Sequence, residues 1–216
     1  MLEKLQRRLN DLYQVEPGHD VRDYLVTDRR VALAIGEGQL IEDTDESVLL
    51  AEEAGDLLLS VFLDDAMLTR LDSADPLQSL AVEQLDDLWK VLEGISHFNY
   101  LVLRAASNRR VTLLELELQA EIDKFVGTYL LLLEQGDNAM TNSLHDWLFD
   151  SCRLVDGLDR SQRARYEAAS SYASRFCHRI AARLAESDRQ VLPELRHFYR
   201  LDQAQKISHI HSCAFA

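Results

Sequence analysis

The sequence predicts an α+β fold, in which a small antiparallel sheet with short helices precedes a larger helical bundle. Residues 47–63, SVLLAEEAGDLLLSVFL, contain two apolar runs around a short Gly-containing turn, a pattern typical of a β-hairpin. From about residue 81 onward the apolar positions recur with helical spacing. We therefore expect residues 1–80 to form a small α+β region and residues 81–216 a helical bundle that packs against it.

The first region is predicted to combine two helices with several strands. Leucines at helical spacing indicate an amphipathic helix over residues 2–13: Leu2, Leu5, Leu9 and Leu12. The runs RDYLVT and RVALAI, residues 22–27 and 30–35, are predicted to be strands. After the hairpin, Asp64 or Asp65 is placed to cap the free amides of a short helix in DDAMLTRL.

Six helices are predicted in the second region. They cover residues 81–106, 112–135, 141–156, 159–186, 193–200 and 202–211. Thr112 and Glu115 form the sequence pattern of a capping box at the start of the second of these helices. Gly136 is suited to the end of that helix, and Pro193 is suited to a first helical turn.

The helix predicted over residues 112–135 carries a charged row between two apolar faces. At about 100° per residue, Glu117, Glu121 and Lys124 lie in one row, and apolar side chains lie on both sides of it. A helix that is apolar on both flanks is expected to be central, which would leave this row at least half buried. Because buried charge is costly unless it is paired, the row needs partners.

The preceding helix offers a matching row at steps of four, three and four residues: Glu93, His97, Tyr100 and Arg104. Only ASNRR separates the two helices, so they are expected to form an antiparallel hairpin. Centring the turn on that link places His97 opposite Glu121, and Arg104 opposite Glu115 or Glu117. We call the predicted contact between the rows the polar seam and define it by Glu93, His97, Arg104, Glu117, Glu121 and Lys124.

Two interpretations of the polar seam remain open. In the structural one, His97 pairs with Glu121 and Arg104 with Glu117 in a hydrogen-bonded ladder that fixes the helix register. In the functional one, carboxylates and an imidazole bind a metal ion, as in other helical bundles, or a glutamate tunes the histidine for proton transfer. The metal ligands would then be Glu93, His97, Glu117 and Glu121. A di-metal site normally has two Glu-x-x-His pairs, and the only such spacing in the chain joins Glu194 to His197.

A second metal-binding pattern lies in ISHIHSC near the end of the chain. His209, His211 and Cys213 occupy alternate positions, so in an extended segment all three would face one ion. Imidazole and thiolate together suit zinc or copper, although no fourth ligand is evident.

A third pattern is a stripe of like charges at Arg175, Arg179 and Arg183. Because like charges four residues apart on a helix repel, we expect an anionic group to compensate them. That group is either the acidic part of the chain, within one molecule or across a dimer, or a phosphate-bearing ligand. A solvated surface is the third alternative.

The negative charge is concentrated in one part of the chain. The formal net charge is −14, and residues 37–87, here called the acidic block, hold fifteen acids and one base, Arg70. Acidity of this kind disfavours binding to nucleic acid or to anionic membranes, and it attracts basic partners. The alternative interpretation is a solvated outer face that aids solubility.

The remaining signals indicate a cytoplasmic protein. The longest apolar run, FVGTYLLLL, has nine residues, too few to span a bilayer, and Cys152, Cys177 and Cys213 form no CxxC pair. The chain has no P-loop, GxGxxG or nucleophile elbow. We expect a non-enzymatic interaction or regulatory protein that binds a basic surface or a second copy of itself and requires no cofactor. The alternative is a metal-dependent helical-bundle enzyme with a Glu/His site between the helices at residues 81–106 and 112–135.

Overall fold

The computed structural model describes residues 1–36, 44–53, 56–150, 158–186 and 190–212. Within these ranges the predicted α+β fold with its helical bundle is confirmed. The helices are α1 (Leu2–Tyr13), α2 (Arg29–Gly36), α3 (Asp65–Ser73), α4 (Leu85–Ala106), α5 (Leu113–Gln135), α6 (Asn138–His145), α7 (Arg160–Ala185), α8 (Val191–Arg200) and α9 (Gln203–Ser212). The strands are β1 (Leu25–Val26), β2 (Glu46–Glu53) and β3 (Asp56–Leu63). None of the helices in the described ranges has the length and apolarity that a membrane span requires.

The predicted hairpin is present, but the sheet around it is mixed. β2 and β3 pair antiparallel, with Val48 opposite Val61, and the centre of their predicted turn at residues 54–55 lies outside the described residues. β1 pairs with β3 in parallel, which gives the strand order β1-β3-β2 and corrects the expectation of a purely antiparallel sheet. Of the strand predicted at residues 22–27, only Leu25–Val26 pairs, because a 3₁₀ turn occupies Val21–Tyr24.

The strand predicted at residues 30–35 is wrong, because this segment forms helix α2. The Asp28 side chain accepts a hydrogen bond from the backbone amide of Arg30 at 2.7 Å, which satisfies one of the free amides of the first turn. Ala32 is fully buried in a small cluster with Leu49 and Phe62, on the side of the sheet that faces away from α4. The alternation in RVALAI resembled a strand, but tertiary packing of a small residue against the sheet favours the helix.

Most predicted helix ends are confirmed within a few residues. Asp64 caps α3 by accepting hydrogen bonds from the amides of Ala66 and Met67, and Gly136 ends α5 in the left-handed conformation at φ 74°. The helix predicted at residues 141–156 begins earlier, at Asn138, and continues as a π-helical turn over Asp146–Asp150. Residues 151–157, where it was expected to end, lie outside the described residues.

The capping box predicted at α5 is only half present. Thr112 accepts a hydrogen bond from the backbone amide of Glu115 at 3.1 Å. The Glu115 carboxylate does not return to the cap, because it points into the interior and accepts from Tyr100 and Arg104. A hydrogen bond between a carboxylate and a buried guanidinium contributes more to stability than one to an exposed backbone amide.

Helices α4 and α5 lie antiparallel at the centre of the molecule. A continuous hydrophobic cluster joins them to residues from Leu2 in α1 to Ile210 in α9. The sheet approaches α4 closely at Gly94, where an added Cβ would lie 3.1 Å from Leu63 and 3.2 Å from Val61. This approach brings the start of β2 against the polar side of α4. The division of the chain near residue 80 stays a prediction.

Candidate buried Glu–His site

The polar seam lies between α4 and α5, where its side chains are largely excluded from solvent. The side chains of His97, Glu117 and Lys124 are 7%, 8% and 8% exposed. Lys124 donates hydrogen bonds to Glu93 of α4 at 2.9 Å and to Glu121 of its own helix at 2.8 Å. The structure therefore brings five of the six predicted residues together around the middle of the helix pair and places Arg104 nearer the link between α4 and α5.

The register between the two helices differs from the predicted one by about one turn at His97. Its Nε2 atom lies 3.8 Å from Glu117 Oε2, whereas the predicted partner, Glu121, is bonded to Lys124. Arg104 pairs with Glu115 at 3.0 Å, which is one of the two predicted alternatives. Lys124 bonds Glu93 across the helix interface and Glu121 on its own helix, which leaves Glu117 as the glutamate of α5 beside the histidine.

Two residues of the site come from elements that the sequence analysis did not connect with it. Glu46 of β2 places Oε1 3.6 Å from His97 Nδ1, and Arg165 of α7 places Nε 3.8 Å from Glu117 Oε1. The alternation of β2 puts Glu46 on the same face of the sheet as Val48, which packs against the main core. The alternation of β2 could be read from the sequence, but the packing of this face of the sheet against α4 could not. We call the whole set the Glu–His cluster: Glu46, Glu93, His97, Glu117, Glu121, Lys124 and Arg165.

The Glu–His cluster contains more negative than positive charge. Its four carboxylates face one lysine and one arginine, so the formal charge is −2 when the histidine is neutral. Burial alone lowers the pKa of His97, but the nearby carboxylates of Glu46, Glu117 and Glu93 outweigh it and raise that pKa to about 9. Burial, together with the charges of Glu93 and Glu46, raises the pKa of Glu117 to about 7. The Glu–His cluster therefore favours the binding of a proton or another cation.

Several buried atoms of the cluster have no hydrogen-bond partner among the described residues. These atoms are Glu46 Oε1, His97 Nε2, Glu121 Oε2 and Arg165 Nε. The separations of 3.6 and 3.8 Å on the two sides of the imidazole are too long for hydrogen bonds. Buried polar atoms in proteins normally have hydrogen-bond partners, so four atoms without one in a single cluster call for an explanation.

A compact network around Arg104 lies at the end of the helix pair where α4 connects to α5. Its guanidinium donates to Glu115 Oε1 at 3.0 Å and to the carbonyl oxygen of Leu201, which joins α8 to α9. Tyr100 donates to the same carboxylate at 2.5 Å. Arg104 Nε is buried without a hydrogen-bond partner among the described residues, and the remaining bonds of the network tie the C-terminal helices to the α4–α5 pair.

A buried lysine that the sequence did not reveal lies next to this network. Lys206 of α9 is fully buried, donates to Gln119 Oε1, and lies 4.7 Å from the ring centre of Tyr100 and 4.9 Å from that of Phe198. Burial lowers its pKa to about 7. In the sequence QAQKISHIHS it resembles a surface lysine, because only one of its neighbours is strongly apolar.

The arginine stripe on α7 is compensated by a residue other than those predicted. Arg179 donates to Glu194 of α8 at 2.6 Å, Arg183 bonds the other oxygen of that carboxylate, and His209 lies 3.0 Å from it. Burial raises the pKa of Glu194, but these three partners lower it to about 2. Arg175 is exposed. The stripe therefore serves, at two of its three positions, to join α7 to α8 and α9.

The three ligands predicted near the end of the chain are not arranged as expected. Residues 203–212 form helix α9, so His209 and His211 point in directions about 200° apart, whereas an extended segment would align them. His211 is exposed, and Cys213 lies outside the described residues.

No protein-family model matches this chain, and neither a curated protein nor a solved structure matches it significantly. Two structural features bear on function: the Glu–His cluster, and an exposed acidic surface formed by α3 and the start of α4.

Proposed function

We propose that this protein is a non-enzymatic interaction or regulatory module that binds a basic protein surface. The binding surface is the acidic face, which we define as α3, the link after it and the start of α4, residues 64–90. This segment holds seven carboxylates and two bases, so its formal charge is −5. The concentration of negative charge in this one segment of the chain is the observation that supports the proposal.

The side chains of the acidic face are available to a partner to different degrees. Four carboxylates are exposed: Asp65, Asp72, Glu83 and Asp86, of which Asp86 pairs with Lys90. Both bases of the segment have carboxylate partners, since Arg70 bonds Asp87 at 2.8 Å and Lys90 bonds Asp45 at 2.8 Å. Residues 37–43 and 54–55 of the acidic block lie outside the described residues. The exposed carboxylates would steer a basic partner to this face over a range set by ionic strength.

A second copy of the chain is one possible partner. Helix α7 exposes three arginines: Arg160, Arg163 and Arg175. These side chains would provide a basic surface for the acidic face of another molecule, which would make self-association head-to-tail. A different basic protein would use the same face in the same way.

Charge reversal tests this proposal. The variant Asp65→Lys/Asp72→Lys/Glu83→Lys is expected to lose association, measured by analytical ultracentrifugation for self-association and by pull-down for other proteins. Wild-type association should weaken at least about tenfold between about 50 and 500 mM NaCl, because exposed charges are screened. A control with the same change in net charge, Asp11→Lys/Glu16→Lys/Asp146→Lys, reverses exposed acids elsewhere and should retain association. Association that ignores both salt and the reversal would contradict the proposal.

Metal-dependent chemistry at the Glu–His cluster is the second candidate function. It is favoured by one specific observation, the buried His97 with a carboxylate oxygen 3.6 or 3.8 Å from each ring nitrogen and no hydrogen-bond partner at Nε2. The carboxylates around His97 differ from the predicted ones, because Glu46 lies beside the imidazole where Glu121 was expected to be a ligand. Glu121 is engaged by Lys124.

A further inference from the structure

We propose that Glu46, Glu93 and His97 bind a divalent transition-metal ion, and that Glu117 orients the imidazole. The three ligands come from β2 and α4 and meet where Gly94 lets the sheet approach that helix. The inference deepens the second candidate function, on which it rests, and it is independent of the acidic face.

The spacing of the three ligand atoms fits a shared metal ion. Glu46, Glu93 and His97 each offer one ligand atom, and these atoms lie within 4.8 Å of one another. Ligand atoms about 2.0–2.2 Å from a shared ion lie roughly 3–4 Å apart. The separation of 3.6 Å between Glu46 Oε1 and His97 Nδ1 falls in that range and exceeds a hydrogen bond.

The burial and hydrogen bonding of the His97 imidazole also fit a metal ligand. The side chain of His97 is 7% exposed, and its Nε2 atom is buried without a hydrogen bond. A metal-bound histidine usually donates its other ring N–H to a carboxylate, which fixes the tautomer and the ring orientation. Glu117 Oε2 lies 3.8 Å from Nε2 and is placed for this role once the ring settles on an ion at Nδ1. Glu117 is therefore a positioning residue, not a ligand.

The formal charge of the Glu–His cluster also favours a bound cation. Lys124 donates to Glu93 Oε2, which leaves Glu93 Oε1 available to an ion. An ion bound at Nδ1 takes the place of a proton on His97. The four carboxylates then exceed the lysine and arginine by two charges, and one divalent cation would neutralise that excess. A buried excess charge is unfavourable, so a cation that removes it binds with a strong electrostatic contribution. The side chain of Glu93 is 21% exposed and gives the ion a path from solvent.

The ligand set also indicates the class of ion. Two carboxylates and one imidazole suit Mn²⁺, Fe²⁺ or Zn²⁺, with water in the remaining positions. Ca²⁺ and Mg²⁺ prefer sites made of oxygen atoms alone. We therefore expect selectivity for transition ions over alkaline-earth ions.

Direct binding measurements test the site. The chain, stripped of metal with a chelator, is titrated by calorimetry with MnCl₂, ZnCl₂ and CaCl₂ in separate experiments. We expect one Mn²⁺ or Zn²⁺ per chain, bound at least about tenfold more tightly than Ca²⁺. Glu46→Gln keeps the size of the side chain but removes its charge, and it should weaken Mn²⁺ or Zn²⁺ binding by about 100-fold or more. Glu93→Gln repeats the test from α4 in case the Glu46 variant does not fold.

A matched control separates loss of the site from loss of stability. Glu194→Gln removes another partly buried, ion-paired carboxylate, at the junction of α7, α8 and α9, and should leave metal affinity unchanged. The proposal is overturned if the wild-type chain binds none of these ions stoichiometrically. Equal affinities for wild type and both ligand variants would overturn it as well. Because binding is measured without a reaction, stoichiometric binding with no associated activity would sustain the site and reject only the metal-dependent enzyme.

Discussion

Replacing Arg104 with methionine is expected to lower the free energy of unfolding by about 3–5 kcal/mol, because it removes one partner of a buried ion pair. The Arg104 side chain is 6% exposed and that of Glu115 is 3% exposed. Without the guanidinium, the Glu115 carboxylate keeps Tyr100 as a donor but loses its countercharge. The carbonyl oxygen of Leu201 also loses a donor, so the junction between α8 and α9 is weakened in the same variant.

Arg109→Met is the matched control for this prediction. Arg109 lies five residues further along the chain and is exposed, and its side chain makes a long contact of 3.5 Å with the carbonyl oxygen of Arg200. Its replacement should change the free energy of unfolding by less than about 0.5 kcal/mol. Urea denaturation followed by circular dichroism measures both variants. Equal and small effects at the two positions would show that Arg104 is not a buried partner of Glu115.

Lys206 is expected to make the protein more stable as the pH rises from about 7 to about 9.5. Burial lowers the pKa of its amine from 10.5 to about 7, while Glu115 and Asp123 act in the opposite direction and Arg104 in the same direction. Between these pH values the unfolded chain binds more protons than the folded one, so the free energy of unfolding increases with pH. The increase attributable to this one group is on the order of 3 kcal/mol over that interval.

The variant Lys206→Met isolates this contribution. Methionine retains much of the apolar contact with Tyr100 and Phe198 but cannot titrate. The opposing contribution of His97, whose pKa is raised to about 9, is present in both proteins, so the wild type should gain on the order of 3 kcal/mol relative to the variant between pH 7 and 9.5. The comparison stops near pH 9.5, because the tyrosines of the unfolded chain begin to ionise at higher pH. Urea midpoints at half-unit pH intervals provide the measurement. Parallel pH profiles for the variant and the wild type would mean that Lys206 is charged and solvated in the folded state.

The parts of the fold that follow from local pattern could be predicted from the sequence. The hairpin, the N-terminal helix and the α4–α5 pair have strong periodicity and recognisable caps, such as Asp64 and Gly136. The assignment of residues 30–35 failed because a short apolar run fits both a strand and a helix, and packing against the sheet decides between them. The parallel pairing of β1 depends on the same tertiary contacts.

The candidate site could be predicted only where its residues lie on neighbouring helices. The facing rows of α4 and α5 followed from helical spacing and a short link, although the partner of His97 was displaced by about one turn. Glu46 and Arg165 were missed because they lie far from the pair in sequence and reach it through tertiary packing. Lys206 was missed for the same reason, since its burial depends on Gln119 of α5 and on aromatic rings of α4 and α8.

The central claim, that the ionisable side chains where α5 meets α4 are buried and paired, is tested most directly by a double-mutant cycle on Lys124 and Glu121. With Lys124→Met and Glu121→Gln, we expect a coupling energy of about 2 kcal/mol that changes little in 1 M NaCl, because the pair is shielded from solvent. The surface pair Arg7–Glu3, which is 66% and 47% exposed, is the control and should show less than about 0.5 kcal/mol. A Lys124–Glu121 coupling no larger than that of the surface pair, and abolished by salt, would contradict the account.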